Sequence, residues 1–335
     1  MLIKIEECTM TSKTLNKIML VAALLFCVIF GVSIYIKNER LKRLDNAHDK
    51  EWEDKRNQEN QSNQDNIDQT NKNNQANNGN NSPTITDKNG QTVDFTNFVS
   101  LYGYAEGKLN DATNIRSNAT GEGKLSGKVS FGNITLTNET INIKIDRAQN
   151  SNQKWFRYTV TGDIQDGLFY LDYTTETYTK GSQAWLYFNQ ESQDWSKTSV
   201  AGLNDKFGWS TNQTFQIINS SSVKSSSVIY QQQSNDYKAT AELDVSKSSS
   251  RAGKFIQGTY GASSPASYKS CKLTVRFDKT GNFKSIQYEE TFDVVVYNKA
   301  NNATINATIS TNYTETFTNI DKSPVPITQP PKISA

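Results

Sequence analysis

The stretch ATINATISTNYTETF, residues 303–317, decides the fold because apolar and polar side chains alternate along it. Successive side chains of a β-strand point in opposite directions, so this alternation is typical of a strand with one buried and one exposed face. The stretch therefore predicts one long, half-buried strand. Its apolar face carries Ala303, Ile305, Ala307, Ile309, Tyr313 and Phe317.

The same alternation occurs in two earlier stretches, residues 237–245 and 271–277. Residues 278–282, DKTGN, follow the second of them and contain a glycine that can adopt positive φ, as a hairpin loop requires. We therefore expect the C-terminal strands to form an antiparallel meander.

The first half of the chain has a less regular pattern. In residues 133–145 the apolar side chains change parity near Asn138, which predicts a bulge or a tight turn there because a one-residue shift moves every side chain to the other face. Aromatic residues and glycines predict further strands over 155–160, 167–178 and 184–188.

Helix signal is weak beyond residue 82, and the best candidate is 212–223, where Phe215, Ile218 and Val223 could form a short apolar stripe. The fold class predicted is therefore mainly β. A large antiparallel sheet with one apolar face must curl, pair with a second sheet or be covered by helices. We expect a curved antiparallel sheet of the half-barrel type, with a β-sandwich as the alternative.

A second decisive stretch, IMLVAALLFCVIFGVSIYI at residues 18–36, contains no charged side chain. As a helix it would reach roughly 29 Å, about the thickness of a bilayer's hydrocarbon core. It lacks the small-residue cleavage site of a signal peptide. The stretch therefore predicts a single transmembrane helix that stays in the chain.

The span divides the rest of the chain into five further segments. Residues 57–81 are almost all Asn and Gln and cannot offset the entropy of ordering, so we expect a disordered linker. The predicted segments are a short cytoplasmic tail at 1–17, a charged juxtamembrane helix at 37–56, the linker at 57–81, an antiparallel β domain at 82–323 and a Pro-rich extended tail at 324–335. A coiled-coil dimer is the alternative for 37–56.

The orientation of the span has two conflicting indications. Three lysines precede it and five basic residues follow within 37–50, so local charge favours a cytoplasmic C-terminal side. A large, tethered β domain instead favours an extracytoplasmic position, and large domains are translocated largely regardless of charge. We predict a single-pass protein of the cell membrane with its β domain outside.

Composition excludes several function classes. The net charge is +2, with 36 basic and 34 acidic side chains, so nucleic acid is not an expected partner. His48 is the single histidine, so the β domain has none for a catalytic triad or a His-based metal site. We expect no enzyme activity, no catalytic residues, no metal and no cofactor. Cys271 lies in an apolar row, which favours a packed thiol over a nucleophile.

Two motifs resemble a known family. Residues 176–188, ETYTKGSQAWLYF, and 194–197, DWSK, resemble surface lipoproteins of Gram-positive bacteria that are related to the periplasmic lipoprotein carrier (LolA-like) half-barrels. The resemblance covers roughly residues 100–320 and implies a curved sheet around a groove for acyl chains. The chain departs from that family because bulky Phe26 precedes Cys27, so it has no acceptable lipidation motif, and because plugging helices are scarcely visible.

Two functions remain open. The first is a membrane-anchored binding or carrier-like protein that holds a lipid or another apolar molecule in a groove lined by Phe169, Leu171, Trp185 and Tyr187. The second is a cell-surface interaction protein with a packed core, whose exposed face meets a surface protein or a glycan. An apolar interior left partly open would favour the first function.

Overall fold

The computed structural model describes residues 85–88, 90–130, 134–165, 169–192, 194–299, 302–330 and 333, with only the backbone of residue 169. The chain divides into two units, Met1–Asn81 and Ser82–Ala335, and the described residues belong to the second. The predicted cytoplasmic tail, transmembrane helix, juxtamembrane helix and linker all lie outside the described residues. None of the helices within the described ranges is long and apolar enough to cross a membrane.

The described chain is mainly β, as predicted, and forms one antiparallel sheet of eleven strands that does not close on itself. The strands are β1 (Ile115–Val129), β2 (Thr135–Gln149), β3 (Gln153–Ile164), β4 (Phe169–Lys180), β5 (Gln183–Phe188), β6 (Ser196–Ser199), β7 (Val223–Gln231), β8 (Asp236–Leu243), β9 (Ser267–Asp278), β10 (Phe283–Asn298) and β11 (Ala303–Ile320).

The sheet consists of two meanders. Its strand order is β6-β5-β4-β3-β2-β1-β11-β10-β9-β8-β7, so neighbours in the sheet are neighbours in sequence except at the centre. There the first strand pairs with the last, from Ile115 opposite Ile320 to Val129 opposite Ile305. The predicted C-terminal meander is confirmed, and the described strands belong to one hydrogen-bonded sheet rather than to two.

Two local predictions are confirmed. Asn138 has a φ of 55°, and the register between β1 and β2 shifts between Leu125 and Gly127, which places a bulge where the sequence changes parity. In the loop between β9 and β10, the backbone N–H of Asp278 donates to Asn282 O at 2.9 Å, and Gly281 has a φ of 76°.

Glycines in β1 allow a close approach of β11 at the centre of the sheet. A Cβ added to Gly121 would lie 2.5 Å from the Cβ of its partner Tyr313, and one added to Gly127 would lie 2.2 Å from Asn306 O. Real side chains cannot tolerate these distances, so only glycine fits. The motif Gly121-Glu122-Gly123-Lys124 therefore lies within a strand and is not a phosphate-binding loop.

The described residues contain four α-helices, one before β1 and three between later strands, and the prediction of weak helix content was wrong for the first of them. The helices are α1 (Phe98–Asp111), α2 (Val200–Phe207), α3 (Val245–Ser248) and α4 (Ser250–Tyr260). The Asn97 side chain caps α1 by accepting from Ser100 N. The predicted helix at 212–223 is not formed: that segment is irregular apart from a 3₁₀ turn at Ser220–Ser222.

The hydrophobic core lies on one side of the sheet, here called the core face; the opposite side is the outer face. Alternate residues of each strand point to the core face, as in β11, where Ala303, Ile305, Ala307 and Ile309 are buried. The helices pack on the core face, α1 against β7 and β8, and α4 against β4 and β10. The outer face of the long strands is rich in exposed threonine, asparagine and lysine.

Candidate functional site

An irregular segment, residues 208–219, covers the middle of the core face and is here called the plug. It connects α2 with the 3₁₀ turn. Its Trp209 ring stacks on Phe215, with centroids 5.3 Å apart, and also contacts Phe156 of β3. Phe215 in turn contacts Tyr288 of β10 at 5.6 Å and Phe255 of α4 at 4.7 Å. The plug therefore fills the space in which the carrier hypothesis places a ligand.

A buried ion pair fixes the plug to the sheet. Arg147 of β2 and Glu315 of β11 lie 2.6 Å apart, and both side chains are fully buried. The Arg147 guanidinium also donates to Thr211 O at 3.1 Å and to Gln213 O at 2.7 Å. Ser117 of β1 donates to Glu315 at 2.6 Å. Displacing the plug would take two carbonyl acceptors from the buried guanidinium, and a buried charged donor without its hydrogen bonds is costly, so these two contacts favour the plug in place.

Two further polar contacts tether the plug on either side of that pair. The Thr211 hydroxyl donates to Gln149 Oε1 at 2.6 Å. The Thr214 hydroxyl donates at 2.6 Å to Glu106 of α1, whose carboxylate is paired at 2.9 Å with Arg251 of α4. These contacts join the plug to both helices and to the sheet.

The last tether involves a buried acid. Gln216 donates to Glu290 Oε1 at 2.7 Å, and Tyr313 donates to Glu290 Oε2 at 3.3 Å. Burial raises the pKa of Glu290 from its ordinary 4.5 to about 7, although these hydrogen bonds lower it. The neighbouring Cys271 thiol is 3.7 Å from Glu290 Oε1, and burial followed by the Glu290 charge raises its pKa well above 9. Such a thiol is packed and unreactive at neutral pH.

Little free volume remains beside the plug. A cavity of about 80 Å³ lies between α2 and the sheet, next to Phe156 and Trp209. Sites for drug-sized ligands usually measure about 300–1,000 Å³. A lipid chain would fit this cavity only if the plug moved.

The four predicted groove residues do not share one face. Leu171 is 1% exposed and belongs to the core face. Trp185 and Tyr187 of β5 point to the outer face, because the alternate residues Leu186 and Phe188 are in the core. Phe169 is the first residue of β4, and its backbone pairs with Ile164. Strand parity therefore separates Leu171 from Trp185 and Tyr187, and the structure does not bring these three side chains together on one face.

The two outer-face residues belong to an aromatic surface, here called the outer patch, formed by Trp155, Tyr178, Trp185, Tyr187 and Trp195. Tyr178 and Trp185 are paired across β4 and β5, with ring centroids 5.7 Å apart. Tyr187 and Trp195 lie 5.8 Å apart. Tyr178 and Trp185 are buried and the other three are half-buried.

Polar groups hold two rings of the outer patch. Trp155 Nε1 donates to Glu176 Oε1 at 2.5 Å, and Gln153 donates to the Tyr178 hydroxyl at 2.7 Å. Both contacts lie between β3 and β4. They orient the rings while leaving their faces available for apolar contact.

The C-terminal tail covers the outer patch. Ile327 and Ile333 pack against the cluster that contains Tyr178 and Trp185. Asn150 donates to Val325 O at 3.0 Å, and Val325 is 4% exposed. Residues 324–330 form neither helix nor strand. The sequence analysis missed this docking, although isoleucines spaced between prolines at the end of a polar tail are a visible signal.

Among the residues that the structure describes, no group of three or more His, Cys, Asp or Glu side chains could hold a metal ion. His48 lies outside them. The adjacent Glu289 and Glu290 point to opposite faces, since Glu289 pairs with exposed Lys272 while Glu290 is buried.

No protein-family model matches this chain, and none of the curated proteins matches it either.

Proposed function

We propose that this chain is a membrane-anchored interaction protein whose extracytoplasmic β domain binds its partner on the outer face of the sheet and holds no small ligand inside. The observation that carries this proposal is the plug, which fills the core face and is tethered by the buried pair of Arg147 and Glu315. Moving the plug would take two carbonyl acceptors from the buried Arg147 guanidinium.

The partner we propose is an extended, proline-containing segment of a surface protein. The outer patch already accommodates such a segment in the form of the chain's own tail, in which Ile327 and Ile333 contact the aromatic cluster. Pro-rich segments suit aromatic-lined surfaces because their extended conformation costs little entropy on binding. The tail then acts as an internal competitor that a partner displaces.

A deletion tests this proposal. We expect a labelled peptide of residues 322–335, KSPVPITQPPKISA, to bind the full chain lacking residues 324–335 and to bind the intact chain much more weakly, as measured by fluorescence anisotropy. The matched control is the same peptide with Val325, Ile327 and Ile333 replaced by serine. Absence of binding to the deletion variant would contradict the proposal.

A second candidate is the carrier of the half-barrel family, with a lipid-like ligand on the core face. One observation favours it: the plug lacks regular secondary structure, and its displacement would uncover the rings of Phe156, Phe255 and Tyr288. Native mass spectrometry of the gently extracted full chain separates the two functions. Bound lipid supports the carrier, and ligand-free protein supports the interaction protein.

A further inference from the structure

The two edges of the sheet are protected differently. The edge strand β6 has four residues and is followed at once by α2, which packs against it. The other edge strand, β7, has nine residues, Val223–Gln231. Short or covered edges avoid pairing with other chains, whereas a long free edge offers unpaired backbone N–H and C=O groups.

The strand β7 has one side chain of the kind that blocks edge pairing, the exposed Lys224 near its start, and none beyond it. Residues 225–231, SSSVIYQ, contain no charge and no proline. Ile229 and Tyr230 are 62% and 45% exposed, which is unusual for neighbouring large apolar side chains. Within the described residues, no backbone hydrogen bond other than those to β8 involves this strand.

Two recesses lined by small residues lie along this edge, one on each face of the sheet. Each of the two exposed side chains therefore has a recess on its own face. On the outer face, Ser225 to Ser227 border a recess of about 310 Å³. On the side of α1, Ser226 borders an open cleft of about 650 Å³ between β7 and the start of that helix. Ile229 shares the outer face with Ser227, because their partners on β8 are Lys238 and Thr240, both of outer-face parity. Tyr230 is on the opposite side, where its ring contacts Tyr237 at 5.0 Å.

We propose that β7 is a docking edge for a second copy of this chain, paired antiparallel about a two-fold axis at Val228. In this register Ile229 lies opposite Ser227 and Tyr230 lies opposite Ser226 of the other copy. Directly opposite residues of antiparallel strands point to the same face, so each large side chain meets the recess on its own side. Such an interface is self-complementary, as a two-fold requires.

Charge does not oppose this pairing. Ser225 lies opposite Gln231, and the seven paired positions, residues 225–231 of each strand, are uncharged, with Lys224 outside them. The pairing would continue the sheet across both molecules and satisfy the free backbone groups of both edges. The inference does not depend on the outer patch, which lies on β3 to β5 in the other meander.

Cross-linking tests the register. In the full chain in detergent micelles, Val228→Cys places two thiols on the two-fold axis, and we expect a disulfide-linked dimer after mild oxidation. The controls are the unmodified chain, which contains Cys8 and Cys27, and Tyr170→Cys, which adds an exposed thiol on the internal strand β4. Equal dimer yields for Val228→Cys and either control would overturn the proposed register.

Sedimentation equilibrium tests the interface without a cross-link. We expect a dimer for the unmodified chain and a monomer for Ile229→Lys, because a charge on the edge opposes pairing. Tyr170→Lys introduces the same charge at an exposed position away from the edge and should leave the dimer intact. A chain that is monomeric at all concentrations overturns the proposal, and so does a dimer that Ile229→Lys does not weaken.

Discussion

Two segments without regular secondary structure cover the two faces of the same sheet, and they are held by different forces. The plug is tied to the core face by buried ionisable groups, above all Arg147, which is paired with Glu315 and donates to two plug carbonyls. The tail is held on the outer face by apolar contacts and by side-chain hydrogen bonds from Asn150 and Arg116, of which Arg116 is exposed. Buried charges are costly to separate, whereas exposed contacts exchange readily with water. The comparison indicates a permanent cover on one face and a removable cover on the other.

The largest effect should follow from breaking the buried pair. Arg147→Met leaves Glu315 charged in the core and removes the donor to two plug carbonyls, so we expect a loss of about 3–5 kcal/mol in the free energy of unfolding. Urea denaturation followed by circular dichroism measures it. The matched control is Arg116→Met, which removes only the 2.7 Å hydrogen bond to Pro326 O in the tail and should cost less than about 1 kcal/mol. Equal losses in the free energy of unfolding for the two variants would mean that the plug and the tail are held equally strongly.

The free energy of unfolding should depend on pH through Glu290, which contacts the plug, and not through the tail. The pKa of Glu290 is about 7 in the folded chain and ordinarily 4.5, so the folded state retains a proton that the unfolded state releases. Stability from this group is present below pH 4.5 and is lost as the pH rises through 7, by on the order of 3 kcal/mol.

Glu290→Gln should abolish that slope between pH 5 and 8, as measured by urea denaturation across the range. Burial raises the pKa values of Asp236 and Asp278, but several hydrogen bonds, joined for Asp236 by the charges of Arg276 and Lys284, together outweigh it and lower both pKa values. These two groups therefore affect stability only at more acidic pH. A slope that survives Glu290→Gln would show that another group titrates in this window.

A smaller effect is expected from removing the tail. Deletion of residues 324–335 exposes one face of Tyr178 and Trp185 and removes the buried Val325. We therefore expect the free energy of unfolding to fall by about 1–3 kcal/mol. The fold should persist, because the deletion leaves every strand intact. Loss of cooperative unfolding in this variant would mean that the tail is as necessary as the plug.

The smallest expected effect is on the hydrogen-exchange rates of backbone amides rather than on the free energy of unfolding. Hydrogen exchange at pH 7 should show rapid exchange of the backbone amides of tail residues 327–329 and slow exchange at Ile217 of the plug, whose N–H donates to Ser248 O at 3.0 Å. The amide of Val325, which donates to the Asn114 side chain at 3.2 Å, serves as the internal reference for the tail. Similar protection in both segments would contradict the comparison.

Alternation predicted β8, β9, β11 and the irregularity at Asn138, because these follow from side-chain parity, and aromatic residues with glycines predicted β3, β4 and β5. Alternation was not enough to predict that β1 pairs with β11, since nothing local in either strand specifies a partner about 200 residues away. The helix α1 was missed even though its buried residues Leu101, Tyr102, Ala105 and Leu109 follow helical spacing.

The tethers of the plug were also missed, although a signal was available. Arg147 continues the row Ile141, Ile143, Ile145 of β2, and Glu315 lies between Tyr313 and Phe317 of β11. A charged residue within a row of apolar side chains indicates either that the row is exposed or that the charge is paired in the core. Two such residues of opposite charge favour a buried pair. Which face of β5 would contact the core could not be decided from parity alone, because both of its rows are aromatic or apolar.

The pairing of the first strand with the last has a kinetic consequence. β1 can complete its pairing only after β11 has been synthesised, so the central contacts of the domain close a loop of nearly the entire described chain. Such a topology favours slow folding, because the two meanders cannot pair with each other until the final strand is present. A ribosome-bound chain that ends before Ala303 would therefore stay protease-sensitive in β1, and release of the last strand would trigger its protection.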